Sequence, residues 1–234
     1  MKRIISLLLA LALCVSLTAC GQSGRTSTAS PAQAPQASTD STASASNAAP
    51  IEKTDDSKIL IVYFAVAENS DVDAVSSASV LTDGGEAKGM SKYIADIIAE
   101  RTGGEMFSIQ TEEKFPGQYD PLADRAKEMQ NNGELPVLTS RIENLDNYDV
   151  IFVGYPIWWY TLPQVMFSFF DEYDFSGKTI IPFNTHYGSR DGGTYKTIAE
   201  LEPEATVMQG LAVHQNDVAK SREDVLKWLD GLGY

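Results

Sequence analysis

DVIFVGYPIWWYTLP, residues 149–163, begins as an unbroken apolar run and then breaks at proline into a loop with two adjacent tryptophans. Asp149 to Gly154 predicts a strand covered on both faces, the usual pattern of a parallel sheet. Leu162 to Tyr173 then predicts an apolar helix. The same grammar runs outward in both directions. Lys58 to Phe64, KILIVYF, is a second buried strand. Met90, Ile94, Ile97, Ile98 and Arg101 follow helical spacing, and Gly103-Gly104 stops that helix. Glu105 to Ile109 predicts a short strand, and Asp120 to Asn131 a surface helix with Ala123, Ala126 and Met129 as its apolar side.

Beyond the aromatic loop, Ser176-Gly177 turns the chain into the strand Lys178 to Phe183. A helix over Thr194–Leu201, a strand over Ala205–Val213 and a closing helix follow. Ser221-Arg-Glu-Asp224 resembles a capping box ahead of Val225, Trp228 and Leu229. Alternating strands and helices imply a doubly wound α/β fold, a parallel sheet with helices on both faces. Right-handed crossovers bring the loops that follow strands to one edge, where open α/β sheets bind ligands. The loops 65–89, 155–161 and 184–193 are therefore expected to converge.

The chain carries a formal charge of −14, which argues against nucleic-acid binding. Its first residues, MKRIISLLLALALCVSLTAC, resemble a bacterial lipoprotein signal over 1–19, with Cys20 the lipidated residue. Removing Lys2 and Arg3 with that segment would take the charge from −14 to −16. Residues 20–57 are rich in Ser, Thr, Ala, Gln and Pro and have no aromatic, so they predict a flexible tether. Residues 58–234 form one folding domain in this reading. Its lack of cysteine excludes thiol redox chemistry and cysteine metal sites, and two histidines argue against a His-rich metal site.

Tyr63-Phe64, then Gly154-Tyr-Pro-Ile-Trp-Trp159, then Ser176-Gly-Lys-Thr-Ile-Ile-Pro-Phe183 followed by Thr185, Gly188-Ser189 and Gly192-Gly193 resemble the flavodoxin family. The resemblance covers essentially all of residues 58–234. It implies a five-stranded parallel sheet of order 2-1-3-4-5 and non-covalent binding of FMN. It further implies that Pro156, Ile157, Trp158, Trp159 and Tyr160 form an aromatic wall against the flavin ring. Thr185, His186, Tyr187, Gly188 and Gly193 would approach its pyrimidine edge. Adjacent residues in an extended loop tend to face opposite ways, so one of the two tryptophans is expected in the core.

The phosphate loop departs from the family pattern. A short hydroxyl-rich loop normally follows the first strand and runs into a helix N-terminus. Here AVAENSDVDAVSSASVLTDGGEAKG intervenes, Ala65 stands where a serine is usual, and Gly89-Met90-Ser91 takes the place of a Gly-Asn-Thr tripeptide. Backbone amides at 90–92, Ser91 and Lys92 remain as candidate anion ligands, with Glu68, Asp71, Asp73, Asp83 and Glu86 opposing them if they lie close.

The expected function is FMN-dependent electron transfer or reduction outside the cytoplasmic membrane. A negative protein surface disfavours an anionic reduced flavin and so lowers its potential. Expected partners are a basic-faced redox protein, a quinone or a nicotinamide, with the membrane reached through the lipid anchor. No dinucleotide fingerprint is present, so a nicotinamide would stack only transiently. The other expectation, from a different class, is a flavodoxin-like module that has lost FMN and binds a protein or small ligand.

Overall fold

Side chains of the first apolar run alternate between two cores, as a centrally placed strand must. In β1 (Ile59–Tyr63) and just beyond it, Leu60, Val62 and Phe64 face one hydrophobic cluster, while Ile59, Ile61 and Tyr63 face the other. The structure is a computed structural model that describes residues 58–69, 79–83 and 86–234. The expected signal segment, Cys20, the linker to residue 57, Asp71 and Asp73 lie outside the described residues, as do the side chains of Asp83 and Glu86.

After β1 come a short antiparallel pair, β2 (Val80–Asp83) and β3 (Glu86–Gly89), then α1 (Met90–Thr102) and β4 (Glu105–Ser108). The chain continues through α2 (Tyr119–Asn132), β5 (Val150–Pro156), α3 (Gln164–Glu172), β6 (Thr179–His186) and α4 (Thr194–Leu201). It ends with β7 (Thr206–Val207), β8 (Leu211–His214) and α5 (Arg222–Leu232). The main sheet runs β4-β1-β5-β6, with β7 and β8 both pairing with β6, and every pairing is parallel. Counting β7 and β8 as one interrupted strand, this is the expected order 2-1-3-4-5. Buried residues of α1 and α5 join the core on one face, and those of α2, α3 and α4 join the other.

Where the structure departs from the sequence reading, a local cause is visible. The strand expected over 205–213 is broken, because its partner β6 carries Pro182, which has no N–H to donate. Ile180 pairs with Val207 and Phe183 with Leu211, so three residues face two, and the chain bulges past the proline. Gly210 fits there because a Cβ would lie 2.2 Å from the Pro182 carbonyl oxygen.

The capping box at 221–224 does not form. Residues 218–220 already turn as a 3-10 segment, so Ser221 enters α5 in a helical conformation, and its hydroxyl donates to the Val218 carbonyl at 2.8 Å. In α2 the buried stripe is Leu122, Ala126 and Met129. Ala123, expected on that stripe, sits one position off it, beside the aromatic loop. The β2–β3 pair, read as loop from sequence, brings the insertion back to α1.

Candidate functional site

The carboxyl end of β5 decides what the two tryptophans do. Trp158 N–H donates to Thr161 O at 3.1 Å and Thr161 N–H donates to Trp158 O at 3.0 Å, closing a four-residue turn. Its two central residues, Trp159 and Tyr160, have φ of 45° and 66°. That left-handed geometry usually takes Asn-Gly, and it costs an L-residue roughly 1–2 kcal/mol. The turn throws the neighbouring indoles to different sides. Trp158 is 8% exposed and Trp159 is 42% exposed.

Trp158 points inward. Its ring meets Phe64 and Phe115 edge-on, each at 5.5 Å between centroids, and Nε1 donates to Ser79 Oγ at 3.2 Å. Edge-to-face contacts of this kind are the preferred aromatic geometry. Trp159 lies against α2. Its Nε1 donates to the Ala123 carbonyl at 2.7 Å, and the Lys127 ammonium sits 5.0 Å from its ring centre.

Between these elements opens a cavity of about 360 Å³, within the size range of small-molecule sites. Ile157, Trp158, Trp159 and Tyr160 from the β5 loop, and Tyr187, Gly188 and Ser189 from the β6 loop, form two sides of it. Tyr119, Leu122, Ala123 and Ala126 of α2 form the third. Four of its aromatic side chains, Tyr119, Trp159, Tyr160 and Tyr187, are exposed. The α2 wall was missed in the sequence. The signal available was Ala123 and Ala126, small residues on a helix that leave room for a ligand.

The β6 loop is held by its own network. Tyr195 OH donates to Asn184 Oδ1 at 2.8 Å, Asn184 Nδ2 donates to Arg190 O at 2.9 Å, and Thr194 Oγ1 donates to Asp191 O at 2.6 Å. Tyr155 OH lies 2.8 Å from Thr194 Oγ1. Burial pushes the pKa values of both phenols well above the usual tyrosine range, so both stay protonated. Tyr160 and Gly192 bring the two loops together, since a Cβ on Gly192 would lie 2.8 Å from Tyr160 O.

Several expected ligands have other work. His186 is buried at the end of β6, where Nδ1 accepts the Gly188 N–H at 3.0 Å and the ring meets His214 edge-on at 5.4 Å. Burial first, and then the nearby His214, lower its pKa. It shapes the loop and does not line the cavity. Gly193 caps α4 in a left-handed conformation and also lies off the cavity lining. Pro156 and Thr185 pair as the last rung of the β5–β6 ladder, and the Thr185 carbonyl accepts Ile157 N–H at 2.8 Å. The Lys92 ammonium is paired with Asp96 at 2.6 Å along α1, so it is not held at the helix start as expected.

The remaining candidates gather at that helix start. Gly89 packs so closely on Ala65 that a Cβ there would lie 2.4 Å from the Ala65 Cβ. Met90 N–H donates to Ser79 O at 2.9 Å. Ser91 is 1% exposed, and its hydroxyl has no hydrogen-bond partner among the described residues. A buried hydroxyl without a partner is costly and is unusual away from functional sites. Glu68 does not oppose an anion from solvent. Its carboxylate accepts from the hydroxyls of Tyr63, at 3.1 Å, and Ser108. Burial, with the Glu68 charge second, raises the Tyr63 pKa above its ordinary value.

The strained turn gives a first prediction. Tyr160→Gly should raise unfolding stability by about 1 kcal/mol, because glycine adopts positive φ without the Cβ clash. Urea denaturation checks this, and a loss of stability would show that the tyrosine side chain holds the turn.

Among solved structures, a candidate flavoprotein from Bacteroides uniformis is 27% identical, covering 74% of this chain and 98% of that one with a TM-score of 0.57. A candidate flavoprotein from Bacteroides eggerthii is 24% identical, covering 76% and 99% with a TM-score of 0.58. A flavoprotein from Lactobacillus acidophilus, solved in complex with FMN, is 20% identical, covering 70% and 97% with a TM-score of 0.50. The last two likenesses speak to the fold alone. No curated protein matches the chain. A sequence profile described as flavodoxin matches residues 79–232, and on that match the chain belongs to the flavodoxin family.

Proposed function

We propose that this chain binds FMN in the aromatic cavity and at the start of α1, and works as a redox protein. The observation that carries this reading is the placement of two complementary half-sites at one sheet edge. One is a cavity walled by Trp158, Trp159, Tyr160 and Tyr187. The other is a helix N-terminus with a buried hydroxyl that has no partner among the described residues. A flat ring with polar edges suits the first, and a phosphate suits the second. The family supports the same cofactor, as does the FMN complex of the Lactobacillus acidophilus relative.

When bound, the flavin supplies the redox chemistry, and the protein supplies position and environment. Trp159, fixed to α2 through Ala123, presents a ring at the cavity. Trp158 and Ile157 close its inner side against water. Backbone of the Gly188 loop, which lines the cavity, would serve the polar edge. At α1, Ser91 Oγ and the first free amides would hold the phosphate, with the helix dipole favouring its charge. A quinone, a nicotinamide or a basic-faced protein each suits an open, aromatic, acidic surface.

The purified chain should be yellow, or become so on adding FMN. Trp159→Ala should weaken FMN binding by about threefold to tenfold, the range for one aromatic pair. Phe170→Ala should leave the affinity of the folded fraction unchanged, because Phe170 is a core residue of α3 that does not line the cavity. Equal small effects on both would remove the stacking role.

A second reading is favoured by two observations: the first amide of α1 is already taken by Ser79 O, and Lys92 is paired with Asp96. A module that has lost FMN would show this, and it would be colourless and refuse reconstitution. We also propose that Cys20 anchors the domain outside the cytoplasmic membrane, on the strength of the leading residues alone. Labelled fatty acid should be incorporated into the protein, and Cys20→Ser should abolish the incorporation; label retained in the serine variant would exclude a lipid anchor at that cysteine.

A further inference from the structure

We propose that Ser79 is a positioning residue that holds the aromatic wall of the cavity in register with the start of α1, and thereby makes the site select a phosphorylated flavin over a phosphate-free one. The proposal rests on the FMN reading above. Ser79 belongs to the insertion after β1 that departs from the family's phosphate loop, and it is buried. It bonds in two directions at once. Its hydroxyl accepts from Trp158 Nε1 at 3.2 Å, and its carbonyl accepts from Met90 N–H at 2.9 Å. One residue therefore touches a cavity wall on one side and the first turn of α1 on the other.

The two bonds do different jobs. Phe64 and Phe115 hold the Trp158 ring by edge-on contacts, which locate it but are tolerant of rotation. The Nε1–Oγ bond is directional and fixes how the indole is turned. The carbonyl bond fixes where the helix begins, directly beside the Ser91 hydroxyl that has no partner among the described residues. A ligand with both a ring and a phosphate gains from both half-sites only when their separation is set in advance. A ligand with the ring alone needs only one of them.

Loss of the Ser79 hydroxyl leaves the carbonyl bond to α1 in place and frees the indole to shift relative to it. Riboflavin can follow a shifted ring wall, whereas FMN is also held at the helix start, so the loss should fall on FMN more than on riboflavin. A residue that merely stabilised the fold would weaken both alike. The test is parallel titration of FMN and riboflavin into the chain and its Ser79 variants. Ser79→Ala is expected to weaken FMN by about tenfold, the upper range for one hydrogen bond, and riboflavin by less than about threefold. Ser79→Thr, which keeps the hydroxyl, should restore the wild-type ratio. In the same samples the Trp158 indole N–H resonance should shift in the alanine variant and return in the threonine variant. If the alanine variant does not fold, Ser79→Cys, a weak acceptor, is held to the same ratio.

Equal losses for both flavins, no loss for either, or a threonine variant as weak as alanine would each overturn the proposal. So would a wild-type chain that binds riboflavin as tightly as FMN, although the ring half of the functional reading would then stand. A wild-type chain that binds neither flavin would overturn the FMN reading itself, and this proposal with it.

Discussion

Trp158→Ala is expected to destabilise the domain by about 4 kcal/mol, a large share of the 5–15 kcal/mol that holds a typical domain folded. The indole is buried among Phe64, Phe115 and Ser79. Truncation leaves a cavity at the joint between the β5 loop, the insertion and the loop after β4. Trp158→Phe should cost only about 1–2 kcal/mol, because packing is largely kept and one hydrogen bond is lost. Urea unfolding of the two variants measures both values. A loss below about 1 kcal/mol for the alanine variant would mean that this side chain is not the core residue its burial indicates. The folded fraction of either variant should also bind flavin more weakly, since the inner wall of the cavity is disturbed.

Asn69→Ala is expected to cost about 3 kcal/mol, through unsatisfied groups rather than through lost volume. Asn69 is 0% exposed, and its amide is used on both sides. Nδ2 donates to Ala65 O and to Ile109 O, each at 3.0 Å. Oδ1 accepts from Thr111 N–H at 2.9 Å and from Thr111 Oγ1 at 3.1 Å. Its carbonyl also accepts Phe115 N–H at 2.9 Å, which seats the ring that packs on Trp158. The asparagine thus ties the loop after β1 to the loop after β4. Asn69→Asp should be no rescue. The acceptor survives, but the two carbonyls lose their donor and face a buried charge. Thermal melts of both variants test this, and an alanine variant as stable as wild type would show that water replaces the amide.

How much of this was legible in the sequence depends on how local each cause is. The strands at 59–63, 150–156 and 179–186 announce themselves as apolar runs because both their faces are covered. The helix over Thr194–Leu201 lies where its pattern places it, behind a left-handed Gly193. The break in the fifth strand was hidden because its cause, Pro182, lies in the neighbouring strand. The capping box failed because the 3-10 turn at 218–220 had already set the backbone of Ser221.

At the site, the converging loops were legible and their contents less so. Sequence alternation said that one tryptophan goes inward but not which one. That choice is made by a left-handed turn at Trp159 and Tyr160, a conformation no propensity would assign to those residues. The pairing of Val80–Asp83 with Glu86–Gly89 has a sequence signal, the Gly84-Gly85 dipeptide between two polar–apolar stretches, but the stretches are too short and too polar to stand out as strands. Asn69 and Ser79 could not be found from sequence. Their importance lies in the carbonyls, amides and indole that the fold brings to them from distant positions.

If the cavity and the start of α1 together hold FMN, adding the chain to dilute FMN should quench the flavin fluorescence. Saturable quenching is expected, with FMN held more tightly than riboflavin. Flavin fluorescence that stays unchanged up to high micromolar protein would contradict it.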